Sequence, residues 1–306
     1  MDNIDKELLT EITGEKNAEF KGAYNIRKNG KGIERQVTKN INIVTKKDVS
    51  GIDIYVKPNT KFEFVHIPVI ITESGLTDVV YNDFYIGENA NVTIIAGCGI
   101  HNDHHKDSQH DGIHRFFLEK GAKVKYIEKH YGEGNGKGKR ILNPITEVYL
   151  KENAIMDMDS VQIKGVDSTV RTTKGVLDKN SNFVVVEKIM THGNQFAKTE
   201  FEVELNGENS STKVTSRSVA TEKSSQEFYS KVIGNTTCFG HVECDAIIED
   251  KAKVSAIPAI IANNVEARLI HEATIGKIAG EQLTKLMTLG LTEKEAEAAI
   301  INGFLK

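Results

Sequence analysis

Five of the ten histidines fall within fourteen residues: His101, His104, His105, His110 and His114, with Cys98 just ahead of them. Imidazoles interleaved with carboxylates at this density can hold zinc or iron, so the five form one candidate metal set. Their spacing matches no known metal site, and a solvated loop between two strands is the favoured reading. The stretch 128–140 places Gly132, Gly134, Gly136 and Gly138 among polar residues. A phosphate loop would need glycine where Tyr131 stands and Ser or Thr after Lys137, so these glycines read as a flexible loop continuing a strand.

Two further sets lie near the C-terminus. If the segment from Cys238 to Cys244 is a strand, those two cysteines share a face and His241 points the other way, so the three do not converge on one zinc. A lone cysteine on a strand is usually a buried, inert thiol. His271 and Glu272 are adjacent, but Ile275 stands where a H-E-x-x-H zinc motif needs its second histidine. Taken alone, the pair reads as a surface contact.

The elements that must carry these residues show themselves as a repeat. An apolar residue, a few polar turn residues, a small residue and then apolar–polar alternation recur at 56–64, 86–94, 118–126, 150–158, 177–185 and 248–256. A looser copy starts at Leu205, and start-to-start spacings run 30, 32, 32, 27, 28 and 43. Asn or Gly in each copy suits a tight turn, and the flanking period-2 alternation makes both arms strands with one buried face. A unit of this size cannot bury its apolar face alone and must stack on its neighbours. The chain therefore reads as mainly β, a parallel β-helix (solenoid) over 21–264 in preference to a sandwich or propeller. A short helix, Asp5–Ile12, is expected within an N-terminal segment 1–20. After Asn264 the alternation stops, and 265–306 reads as a C-terminal helical domain. Its first helix is Gly280–Leu289, ended by Gly290; a second starts at the Thr292/Glu295 capping box and runs to about Ile301.

Composition narrows the function classes. Lys+Arg 39 against Asp+Glu 43 gives −4, 39% of residues are apolar and 27% charged, which is too apolar for disorder. A sequence pI near 6.2 argues against a general nucleic-acid binder. No apolar run approaches the roughly 18 residues of a membrane helix. The acidic N-terminus is unlike a secretory signal, so a cytoplasmic protein with reduced thiols at Cys98, Cys238 and Cys244 is expected.

The C-terminal segments 240–245 (Gly-His-Val-Glu-Cys-Asp), Ile257-Pro258, Asn263-Asn264, 271–274 (His-Glu-Ala-Thr), 281–283 (Glu-Gln-Leu) and 301–304 (Ile-Asn-Gly-Phe) together resemble the SufB/SufD family. Its members are scaffold subunits of the SUF iron–sulfur cluster assembly machinery. The resemblance is densest over 230–306 and implies a right-handed β-helix core. It matches Cys244 to the cysteine that the SufB branch uses to accept sulfur and build the nascent cluster. Glu272 matches the glutamate used beside it, and His271 matches the histidine that faces that cysteine across the subunit interface in the SufD branch. All three in one chain imply a SufB-like scaffold, a homodimer through the β-helix, and a SufC-type ABC ATPase docked on the C-terminal helices. The cluster would be transient cargo, ATP hydrolysis would belong to the partner, and no flavin is indicated. The alternative within the family is a SufD-like adaptor without its own cluster. A β-helix polysaccharide-active enzyme would need a carboxylate-lined groove and usually a secretion signal. Unlike longer SufB members, the chain has no C-x-x-C, and the histidine stretch 101–114 has no counterpart with a role.

Overall fold

A computed structural model describes residues 1–15 and 20–306, so positions 16–19 of the expected N-terminal segment lie outside the described residues. Among the described residues, twenty strands, numbered in chain order, make two sheets. Sheet A runs, in spatial order, β2 (Lys31–Gln36), β1 (Ala23–Lys28), β5 (Lys61–Ile71), β7 (Asn91–His101), β9 (Lys123–Glu133), β12 (Ile155–Lys164), β14 (Asn182–Thr191), β16 (Ser210–Ala220), β18 (Cys238–Ile248) and β20 (Ala267–Gly276). Sheet B runs β3 (Ile41–Thr45), β4 (Gly51–Val56), β6 (Thr77–Ile86), β8 (Ser108–Leu118), β10 (Arg140–Leu142) with β11 (Ile145–Leu150), β13 (Ser168–Leu177), β15 (Phe196–Leu205), β17 (Ser225–Gly234) and β19 (Lys253–Ala262). Pro144, which has no N–H to give a ladder, marks the break between β10 and β11. The chain alternates between the sheets, successive rungs pair in parallel, and a β-solenoid of about eight turns results.

The repeat is visible as columns. Val56, Ile86, Leu118, Leu150, Leu177, Leu205, Gly234 and Ala262 are in-register neighbours on sheet B, each ending a strand before the turn to sheet A. The turns hold Asn59, Asn89, Asn153, Asn180 and Asn209 in the left-handed region, with φ between 54° and 61°. Asparagine tolerates that conformation because its amide bonds locally. Gly121 takes the same place in the third turn at φ 68°, where a Cβ would lie 2.5 Å from Asn89 Oδ1.

Two expectations need correction. The sequence copy at Ile248 lies at the opposite corner, where sheet A passes to sheet B; the true member of the column is Gly234, which replaces the anomalous spacing of 43 by 29 and 28. The solenoid also continues past Asn264, because β20 is its last sheet A strand. Its alternation is masked in the sequence, since His271 occupies an inner position and Ile270 an outer one.

The interior is filled by rows such as Phe183, Val185 and Ile189 from β14. Helix α1 (Asn3–Thr13) starts at an Asp2/Asp5 capping box and ends at Gly14. It lies outside sheet A over β5, β7 and β9 and buries Leu8, Leu9 and Ile12. Gly97 permits this approach: a Cβ there would sit 2.8 Å from Ile12 Cβ. At the other end, α2 (Gly280–Thr288) packs on α3 (Glu293–Phe304), which starts at the expected Thr292/Glu295 box. The chain end returns to sheet A, where Lys188 Nζ donates to Lys306 O at 2.9 Å and Arg217 Nη1 to Phe304 O at 3.3 Å. Among the described residues, no helix is long and apolar enough to cross a membrane.

Candidate functional site

Strand β18 alternates strictly. Cys238, Gly240, Val242, Cys244 and Ala246 are buried toward the interior, and Phe239, His241, Glu243 and Asp245 face out. In the parallel pairing with β20, Val242 lies opposite His271, Glu243 opposite Glu272 and Cys244 opposite Ala273. In-register neighbours of a parallel sheet share a face. Cys244 and His271 are therefore diagonal neighbours on the inner face, one rung from the open end of the solenoid. Glu272 is on the outer face beside Glu243, with its Oε2 3.7 Å from His241 Nε2. One chain thus brings two of the three expected residues to one face and turns the third away. The His271 ring nitrogen Nε2 is enclosed and has no hydrogen-bond partner. Burial, then the nearby His241, lowers the His271 pKa, which favours the neutral ligand form. Burial, followed by the charges of Glu187 and Asp245, pushes the Cys244 thiol up to about 12.

Behind Cys244 the interior is polar. One inner column of sheet A reads Glu128, Ser160, Glu187, Ser216, Cys244. Arg171 enters from sheet B, pairs with Glu128 and brings its Nε 3.5 Å from Glu187 Oε1. All three ionic groups are almost fully buried. Burial opposes the charge on Glu128, but Arg171 outweighs it and holds that carboxyl well below its usual range. Glu187 keeps the weaker share of Arg171, and burial raises its carboxyl instead. Thr199 Oγ1 donates to Glu187 Oε1 at 2.9 Å and Ser216 Oγ to Oε2 at 3.0 Å.

The clustered histidines separate in space. His101, at the end of β7, bonds Glu133 Oε1 at 3.0 Å and Asp103 Oδ2 at 2.8 Å. His104 and His105 are exposed in the turn that follows. His110 and His114 belong to a strand, not a solvated loop, and their even spacing turns both inward. His110 Nδ1 meets Asp78 Oδ2 at 3.2 Å. His114 meets Tyr126 Oη at 2.7 Å and Asn82 Nδ2 at 3.2 Å, and burial lowers its pKa to about 4. The five do not converge as one metal set, and among the described residues no three His, Cys, Asp or Glu side chains are gathered to hold a metal ion. A small cavity of about 20 Å³ lies between Cys98, His110, His114, Glu128 and His130. The glycine stretch begins at the end of β9; its loop stacks on the preceding turn through Gly136 N to Asn102 O at 3.0 Å and Gly138 N to His104 O at 2.9 Å.

Sequence reasoning missed Arg171, Glu187 and Ser216. The signal was present in β14, where Glu187 stands in phase with Val185 and Ile189 and so at an interior position.

The domain described as SUF system FeS cluster assembly, SufBD core domain, matches residues 69–304. The chain belongs to the SufBD family. An iron–sulfur cluster assembly SufBD family protein of Methanocaldococcus jannaschii is 28% identical over 316 residues, covering 98% of each chain. A relative so named from Pyrococcus horikoshii is 28% identical over 84% of this chain and 57% of its own length. One from Methanothermobacter thermautotrophicus is 27% identical over 84% of this chain and 63% of its own. This SufBD protein thus spans nearly all of the first relative but less than two thirds of the other two. Membership in the SUF assembly family places its chemistry with iron–sulfur clusters.

Proposed function

We propose that this SufBD protein is a cytoplasmic scaffold on which a nascent iron–sulfur cluster is built and from which it is handed on. Cys244 accepts sulfur and His271 beside it helps to hold the growing cluster, which is cargo, while Glu272, on the outer face, joins it only across the subunit interface. Support comes above all from the place of Cys244: an inward thiol one rung from an uncapped end, with His271 diagonally beside it on the same face. A single soft thiolate with imidazole and carboxylate neighbours binds more exchangeably than four thiolates, which suits transfer.

The protein works as a homodimer joined at the open end. That end leaves the edges of β19 and β20 unpaired and exposes Ile257 (54%), Ile260 (46%) and Val265 (97%). Unpaired strand edges with exposed apolar side chains are surfaces that another chain can cover. A SufC-type ABC ATPase docks on α2 and α3 and hydrolyses ATP; the scaffold itself catalyses no reaction. In favour of this, α2 buries none of its residues and presents Met287, with Leu289 just beyond it.

Anaerobic reconstitution with iron and sulfide tests the reading. The native chain is expected to gain a cluster spectrum that Cys244→Ala lacks, and equal loading of both would overturn it. One observation favours a SufD-like adaptor instead: the Cys244 thiol is buried and strongly protonated. No loading of the native chain, where a control scaffold loads, would support the adaptor.

A further inference from the structure

Between β8 and β9 the interior holds ionisable side chains for which the scaffold reading has no use. Cys98, His110 and His130 are buried and line the small cavity of about 20 Å³, with Glu128, His114 and Gly112 also in its wall. Cys98 and His130 are in-register neighbours on β7 and β9, while His110 comes from β8 in the facing sheet. A water molecule needs about 10–15 Å³ of such space, so the cavity has room for one.

The hydrogen bonds around the cavity leave one donor and one acceptor over. His130 Nδ1 lies 3.2 Å from Arg171 Nη2, and a guanidinium only donates, so this nitrogen accepts. Burial lowers the His130 pKa, which favours the neutral ring, and its one hydrogen then sits on Nε2. Glu128 Oε1 stands 3.7 Å from that nitrogen, beyond hydrogen-bond reach, and already takes the Tyr126 hydroxyl at 3.0 Å. His110 has the opposite need. Burial opposes the charge on Asp78, but Arg27, at 2.6 Å, and His110 outweigh it and keep that carboxyl ionised. A carboxylate only accepts, so His110 Nδ1 gives its hydrogen to Asp78 Oδ2 at 3.2 Å. In the neutral ring Nε2 is then bare, and among the described residues no protein group donates to it. A Cβ built on Gly112 would lie 3.2 Å from His110 Nε2, which puts this nitrogen at the cavity.

We propose that this cavity is the binding site of a single water molecule, which accepts from His130 Nε2–H and donates to His110 Nε2. The Cys98 thiol beside it is a weak third neighbour. Interior waters ordinarily make about three such bonds. A metal cation does not suit this wall, because His130 presents an N–H to it. Burial, followed by the charges of Asp78 and Glu128, also pushes the Cys98 thiol up, so it keeps its hydrogen and is no thiolate ligand. The water joins two networks. Arg27, Asp78 and His110 lie on one side of it, and His130 with Arg171, Glu128 and Glu187 on the other. His130 is thereby held at both nitrogens and steadies the guanidinium that serves both buried carboxylates. The site lies four strands along sheet A from Cys244 and is independent of that cysteine's role.

The test compares the native chain with Gly112→Ala, whose added methyl would take the water's place. Gly112 is not in the left-handed region, so its backbone accepts alanine. A high-resolution crystal structure of the native chain is expected to show one fully occupied water about 2.7–3.2 Å from both His110 Nε2 and His130 Nε2. In solution, nuclear magnetic resonance of the chain with isotope-labelled histidine should place the His130 hydrogen on Nε2 and give a cross-peak from it to bound water. Gly112→Ala should lose the cross-peak and the crystallographic water together. A native cavity without the water peak, an anomalous peak of a metal ion within it, or a His130 hydrogen on Nδ1 overturns the site. So does a cross-peak that persists in Gly112→Ala. Should that variant fail to fold, the two native measurements decide alone.

Discussion

The two ends of the solenoid are built on opposite plans. At the N-terminal end each sheet is closed by a short antiparallel strand, β2 on β1 and β3 on β4. Edge strand β2 is exposed along its length and carries Lys31, Glu34 and Arg35, the sort of charged rim that discourages pairing with another chain. Arg35 is tied back to Asn25 at 2.9 Å and Thr45 at 2.9 Å, while Ile41, Ile52 and Ile54 seal the interior beneath. At the C-terminal end β19 and β20 remain parallel and uncovered, and their isoleucines are left half-exposed. Solenoids generally need polar caps for solubility. The chain thus caps one end with care and leaves the other open, and it keeps Cys244 one rung from the open end.

Three substitutions or conditions can break or sharpen that contrast. The largest effect belongs to the closed end: Ile54→Ala should lower unfolding free energy by about 2–5 kcal/mol in urea titrations while sedimentation shows association unchanged. A parallel loss of association would mean that the ends are not independent. Acid comes second. His114 is neutral inside the fold, with its pKa lowered to about 4 from 6.5, so the unfolded chain binds the extra proton between those values. Stability from this group is complete above pH 6.5 and is lost as pH falls toward 4, by up to about 3 kcal/mol. Urea midpoints at pH 7 and pH 5 should diverge in the native chain and converge in His114→Gln. The smallest effect is at the open end, where Ile257→Lys with Ile260→Lys should weaken self-association at least about tenfold, roughly 1.4 kcal/mol, and change monomer stability by less than about 1 kcal/mol. Light scattering over a concentration series reads this directly, and an unchanged dimer would move the interface elsewhere.

Much of the architecture was legible because the solenoid writes its period into local turn chemistry. Asn89, Asn153 and Asn180 announce left-handed corners, and the apolar residues before them, Ile86, Leu150 and Leu177, belong to one column. The Thr292/Glu295 capping box marks the start of α3, and the expected N-terminal helix Asp5–Ile12 falls within α1. Where polar residues occupy interior positions, the signal fails. His110 and His114 looked like loop residues and His271 concealed β20, since each is a polar group in a buried phase. The similar turn after Ile248 shows the limit of local pattern: it fits the motif but belongs to the other corner. The candidate site was legible only in part. Family resemblance selected Cys244, His271 and Glu272, but parity along β20 decides that Glu272 faces away from the other two. The Arg171 row requires knowledge of which strands face each other across the interior, and one strand's sequence does not contain it.

The closed end also has a bearing on how the chain is made. Each turn after the first two lays its strands against a pair already in place, with partners about thirty residues earlier in the sequence. The sealed cap precedes the later rungs in the sequence, so it leaves the ribosome before them, and folding follows the order of emergence. The solenoid can therefore grow in one direction from a finished base, never exposing more than its latest rung. On that schedule the exposed edges of β19 and β20 form after every earlier rung and just ahead of α2 and α3, so the growing solenoid acquires its apolar edge strands only once the rungs beneath them are in place.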